Sequence, residues 1–178
     1  MFQSIVEGRY VPWDLLVKDV PKDKHHDLDF IVSQLDWEKN VDPYFKEHNY
    51  LEPIVDEENS GDGYTDRWIV YGLVDGKQLF SAKELTVMPG AKCVLRDPGA
   101  SGWITVQGCG KIGSLWLQTP IMIRFGEEPD DEVFITYEAA KAGVVVENTG
   151  TEPLVSLRYF GPDVHPRVPN VGDYKKAR

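Results

Sequence analysis

The sequence predicts an all-β fold, an antiparallel sandwich or small barrel, preceded by an N-terminal arm that is helical or irregular. Three observations lead there. From Arg67 onward, short runs rich in β-branched and aromatic residues recur at about ten-residue spacing. Turn signals such as DGK, PG, PGASG, GCG and NTGTE separate them. No helical period of apolar residues lies between the runs.

The arm comes first in chain order. HHDLDFIVSQLDWEKN (25–40) puts Leu28, Ile31 and Leu35 on one helical stripe with Phe30 beside them, and Asp27 in place to cap it. A second short helix is expected from Asp42-Pro43, with proline at its first position, through Tyr44, Phe45 and His48. DEENSGDG (56–63) reads as an exposed acidic loop, and the division between arm and barrel is placed near residue 62. The strand-like runs follow: RWIVYGLV, QLFSAKELTVM, KCVLRD, WITVQ, KIGSLWLQ, IMIRF, EVFITY, AGVVVE and PLVSLRYF. That is roughly eight or nine strands, spanning a barrel over residues 63–165. EAAKAG (138–143) is the one helix-like interruption. HPRVPNVGDYKKAR, with two prolines and basic residues at its end, reads as a surface tail over 166–178.

Composition narrows the function. With 178 residues, 42% hydrophobic and 27% charged, the chain is long enough for one domain with a real core and is not of the disordered class. The formal net charge of −10 argues against phosphate-backbone binding and against adsorption to anionic membranes. No run approaches a membrane span, and MFQSIVEGRYVPWD lacks the apolar stretch of a secretory signal, so a soluble cytoplasmic protein is expected. Cys93 and Cys109 flank two strands that can pair. Free thiols of a reducing compartment are the expectation, with a bridge left open on geometry.

Residues 84 to 162 resemble the cupin family. ELTVMPGAKCVLRDPGASGWITVQGCGKIG is similar to the first cupin motif, in which a PG turn leads to a His-x-His strand, a Glu follows, and a Gly closes the hairpin. AGVVVENTGTEPLVSLRYFGP is similar to the second, whose His lies shortly before an Asn in a turn. The resemblance implies a jelly-roll barrel, a double-stranded β-helix. More narrowly, it is to the C-terminal half of two-cupin, phosphomannose-isomerase-like proteins. It also implies a metal, but the ligand positions have changed. Counting back from Gly108, the Glu position falls on Ser101 and the two His positions on Leu95 and Asp97. The second-motif His falls on Val144 or Val146. One carboxylate does not hold a metal that wants three or four N, O or S ligands. No cofactor is therefore expected.

Alternation along the strands sets the candidate lumen. Ser101, Trp103, Thr105 and Gln107 are expected to face inward, as are Ser156, Arg158 and Phe160 on the last strand. Asp97, Trp103, Thr105 and Arg158 would line one cavity suited to a hydroxylated or anionic small molecule. The alternative is a core Trp103 with Asp97 and Arg158 paired for structure. Cys93, near the barrel mouth, is a candidate ligand-contacting thiol or a small buried hydrophobe. His25 and Asp29 stand at i, i+4, a weak adventitious site or a solvated helix start.

Three functions remain open. The first is a metal-independent module that binds a small polar ligand, a sugar or sugar acid, or serves as a non-catalytic partner. The second is a sugar-isomerase-like or other cupin enzyme using a displaced site, with Asp97 or a lumen Tyr as acid or base and Arg158 orienting an anionic group. The third is a structural interaction protein. The resemblance further implies self-association, with an isologous homodimer as the default.

Overall fold

The computed structural model describes residues 5–6, 8–10, 12–122 and 125–171. The chain divides into two compact units, Met1–Tyr50 and Leu51–Arg178. In the first, β1 (Ile5–Val6) pairs with β2 (Arg9–Tyr10), and four short helices follow: α1 (Trp13–Leu16), α2 (Leu28–Ser33), α3 (Trp37–Asn40) and α4 (Phe45–Asn49). The single helix expected over 25–40 is broken in two because its own side chains cap two starts. Asp27 Oδ1 accepts from Phe30 N at 3.0 Å, and Asp36 Oδ1 accepts from Lys39 N at 3.1 Å. The helix expected from Asp42 starts later, since Asp42 Oδ1 instead accepts from Tyr44 N at 2.9 Å. None of the four helices buries a residue.

The second unit is a β-barrel of nine strands: β3 (Ile54–Val55), β4 (Tyr64–Val70), β5 (Ser81–Val87), β6 (Lys92–Leu95), β7 (Ser101–Ile112), β8 (Leu115–Thr119), β9 (Glu132–Ile135), β10 (Val144–Asn148) and β11 (Leu154–Phe160). All pairings are antiparallel. One layer runs β3-β4-β5-β11-β7-β9. The other runs β8-β7-β10-β6. Strand β7 belongs to both: its first half pairs with β11 and β9, its second with β10 and β8. A strand that switches layers folds the sheet over its own interior, which is how a jelly roll closes. α5 (Tyr137–Ala142) sits between β9 and β10, capped by Thr136 Oγ1 at 3.3 Å from Ala139 N. Of the expected run IMIRF, residues 123–124 lie outside the described set, as does the end of the tail, 172–178.

The motif residues do structural work. Gly90 takes φ 74° in the PG turn, where Ala91 N donates to Met88 O at 2.9 Å. Buried Asn148 ties three segments together. Its Nδ2 donates to Val87 O and Glu152 O, both at 2.8 Å, while its Oδ1 accepts from Gly150 N at 2.9 Å. At Gly108, with φ 81°, a Cβ would stand 2.6 Å from Pro153 O.

Two sequence expectations change here. Residues 51–62 stand within the barrel unit: β3 pairs with β4, and Asp56, expected on an exposed loop, is buried because Lys83 bonds it. Gln107, expected inward, is exposed. The register shift between Val155 and Ser156 skips Val106, and a bulge of one residue reverses the alternation beyond it.

Candidate functional site

The inward residues of β4, β5 and β11 change character along their length. On β5, Ser81 and Lys83 precede Leu85 and Val87, and all four are buried. On β11, Leu154 gives way to Ser156, Arg158 and Phe160. The apolar half is one cluster of Leu85, Val87, Leu95, Ile112, Val146, Leu154 and their neighbours, which joins the two layers.

The other half holds a chain of alternating charges. Lys83 Nζ bonds Asp56 and lies 3.0 Å from Asp66 Oδ2. Asp66 Oδ2 also accepts from Arg158 Nη2. Arg158 Nη1 reaches Asp97 Oδ2 at 2.5 Å, and His165 Nε2 stands 3.7 Å from Asp97 Oδ1, beyond hydrogen-bond length. Aromatic rings wall the cations in. Lys83 Nζ lies 4.4 Å from the Trp68 ring centre, and the Arg158 guanidinium 5.1 Å from that of Trp103 and 5.7 Å from that of Phe160. His165 meets Trp68 and Phe160 edge-on at 4.7 and 5.3 Å.

The surroundings favour the charged forms of Asp97, Asp56 and Arg158. Burial raises the Asp97 pKa, but His165, Arg158 and Lys83 outweigh it and hold the carboxyl below its ordinary value. Asp56 follows the same pattern, burial opposed by Lys83, Asn59 and Arg167. Burial works against the charge of Arg158 too, yet Asp66 and Asp97 raise its pKa overall.

Satisfaction is incomplete. Among the described residues, Asp66 Oδ1, Ser81 Oγ, Asp97 Oδ1, Arg158 Nε and both ring nitrogens of His165 are buried without a hydrogen-bond partner. Orphaned polar atoms in an interior are costly unless something satisfies them. His165 is also one of the residues lining a cleft of ≈ 290 Å³, with Gln78, Asp163, Pro166 and Asn170 among others, and Gln78 Nε2 donates to the His165 carbonyl at 3.2 Å.

The structure thus brings Asp97, Trp103 and Arg158 together, as an ion pair beside a ring. Thr105 is one level deeper, where its hydroxyl meets Ser156 Oγ at 3.2 Å. Trp103 Nε1 donates to Ser101 Oγ at 2.9 Å. Cys93 stands apart, inside the apolar cluster, and burial pushes its thiol up to about 11. Both cysteines are free. His25 Nε2 lies 3.0 Å from Val20 O rather than near Asp29. Sequence reasoning missed Asp56, Asp66, Lys83 and His165. Two of them had a signal: Asp66 shares strand parity with Trp68, and Lys83 with Leu85 and Val87, so each is a charge on an inward face.

The metal implied by the cupin resemblance does not fit these residues. Leu95 and Val146 belong to the apolar cluster, Ser101 accepts from Trp103, and Asp97 is already bonded to Arg158. Two protein cations, Lys83 and Arg158, occupy the same interior. Among the described residues no group of three His, Cys, Asp or Glu converges to hold a metal ion. None of the described helices is long and apolar enough to cross a membrane.

The layered antiparallel strands sharing β7 define the class: an all-β jelly roll. Solved structures with a similar architecture include an RmlC-like cupin protein from Ralstonia eutropha (10% identity, TM-score 0.41, covering 62% of each chain). They also include the polyketide cyclase RemF from Streptomyces resistomycificus (15%, TM-score 0.45, 68% of this chain and 80% of that one). A third is oxalate decarboxylase from Bacillus subtilis (20%, TM-score 0.44, 70% of this chain and 30% of that one). At these identities the likeness concerns the fold alone. The chain spans less than two thirds of the first and the third of these proteins. No family model matches the sequence, and no curated protein is similar to it.

Proposed function

We propose that the barrel is a metal-independent binding module for a small, neutral, hydroxylated molecule such as a sugar, received in the cleft at His165. The observation that carries this is His165 itself. It is 2% exposed, it lines the cleft, and among the described residues neither ring nitrogen has a hydrogen-bond partner. The other orphaned atoms mix acceptors (two carboxylate oxygens), a donor (Arg158 Nε) and a hydroxyl that does both (Ser81). Hydroxyl groups both donate and accept, so they match such a set. An anion matches less well. Asp56, Asp66 and Asp97 already outnumber the buried cations Lys83 and Arg158. The expectation of a sugar or sugar acid thereby narrows to the sugar.

Thermal unfolding of the purified protein with neutral monosaccharides and with uronic acids tests this. Neutral sugars should raise Tm, and His165→Gln should shrink the rise. If no sugar shifts Tm, the reading fails. If only the uronic acids do, its neutral half fails.

A second reading, an enzyme with a displaced site, is favoured by the His165–Asp97 approach at 3.7 Å, an imidazole beside a carboxylate at a cleft. With Asp97 bonded to Arg158, His165 rather than Asp97 would move the proton. Conversion of the bound sugar, followed by NMR, would replace the binding-only reading with this one.

A further inference from the structure

A separate surface, independent of the His165 cleft, has its own chemistry. Strand β9 pairs with β7 and, among the described residues, with nothing else, so one edge is open. Residues of this strand and of the segment before it also line two clefts, of ≈ 320 and ≈ 360 Å³, which share Glu128, Pro129, Glu132, Val133 and Phe134. Tyr159 flanks the first and Trp116 the second. Phe134 is 70% exposed and Trp116 57%, large apolar rings left in the open. The segment before the strand is pinned: Asp131 O accepts from Thr105 N at 2.7 Å and Asp130 O from Gln118 N at 3.0 Å. Around the rings stand Glu128, Asp130 and Glu132, none of which makes an ion pair among the described residues.

Acidic residues at an open edge deter pairing with a like copy. They do so by repulsion, because a second copy brings the same carboxylates to the contact. The same charges attract a cationic strand, and exposed aromatic faces receive Lys or Arg through their π clouds. We propose that the β9 edge and its two clefts are a docking surface for an extended segment of another protein that carries Lys or Arg at alternate positions. The segment adds to the sheet by backbone hydrogen bonds, with its cations between the rings and Glu128, Asp130 and Glu132.

The test uses the full chain and two fluorescein-labelled synthetic peptides, one alternating lysine and valine, the other glutamate and valine. The lysine peptide should bind by anisotropy, more weakly as salt rises, and the glutamate peptide should not. The double substitution Glu128→Lys with Glu132→Lys, and separately Phe134→Ala, should weaken binding by about tenfold or more. All three are surface positions, and a circular dichroism melt checks that each variant is folded. Equal binding of both peptides, binding of neither, or variants that bind like the parent overturn the proposal. So does sedimentation that finds a dimer dissolved by Phe134→Ala, since the occupant is then a second copy.

Discussion

The two halves of the barrel interior lie on the same strands and use opposite chemistry. Leu85 and Val87 on β5 face an apolar cluster that excludes water, while Ser81 and Lys83, a few residues earlier, face Asp56, Asp66, Arg158 and Asp97. The apolar half is held by area and close packing, which any residues of similar shape provide. The charged half is held by matching signs, and each member is tolerable only while its neighbour is present. The contrast teaches that burial alone says little about replaceability. A methyl lost from one half leaves a void, whereas Asp66 lost from the other leaves two buried cations with one carboxylate each.

The largest expected effect comes from Asp66, which serves both Lys83 and Arg158. Asp66→Ala should lower stability by about 3–5 kcal/mol in urea unfolding, or prevent folding, because both cations stay buried and under-compensated. A loss under about 1 kcal/mol would mean that the charged half is wet and loosely held. Leu95→Ala in the apolar half should cost about 2–5 kcal/mol.

The two halves should then separate by pH. Asp56 and Asp97 have pKa values depressed below the ordinary 3.8. Folded carboxylates of that kind contribute fully above the unfolded value, and their contribution drains as pH falls through the folded one. Stability should therefore decline from about pH 4 downward. Leu95→Ala should keep the same acid slope from a lower start, whereas Asp97→Asn should flatten it. Parallel slopes in all three proteins would break the distinction.

Smaller effects sharpen it. With its thiol raised to about 11, Cys93 should resist iodoacetamide in the native protein at pH 8, while the less buried Cys109 reacts, as read by peptide mass. Smallest of all, Lys92→Ala should change stability by no more than about 0.5 kcal/mol, since its 3.7 Å pair with Glu147 is at the surface.

Much of the fold was legible because its signals are local. The PG turn and the NTG corner each need particular residues at particular dihedrals, and strand parity placed Ser156, Arg158 and Phe160 inward. GCG, expected as a turn, instead lies within β7, and the hairpin to β8 turns at Gly113-Ser114. Parity failed at Gln107, because a bulge depends on the partner strand rather than on the strand itself. At the site, the Asp97–Arg158 contact followed from the motif positions and parity. Asp66 and Lys83 were readable in principle as charges at inward parity. Asp56 and His165 were not, for both lie in irregular segments whose direction only the folded barrel determines. Aromatic Phe134 and Trp116 look like core residues in sequence, and only the strand order leaves them outside.

Arg158 reaches back 92 residues to Asp66 and 61 to Asp97, whereas Lys83 and Asp66 are 17 apart. During synthesis Asp66 can meet Lys83 early, but Asp97 and the second bond of Asp66 must wait for the last strand to emerge. Until then the apolar cluster lacks Leu154 and the charged half lacks Arg158. Folding is thereby deferred to the arrival of β11 and coupled across the whole unit, the slow, all-or-none behaviour that distant contacts impose.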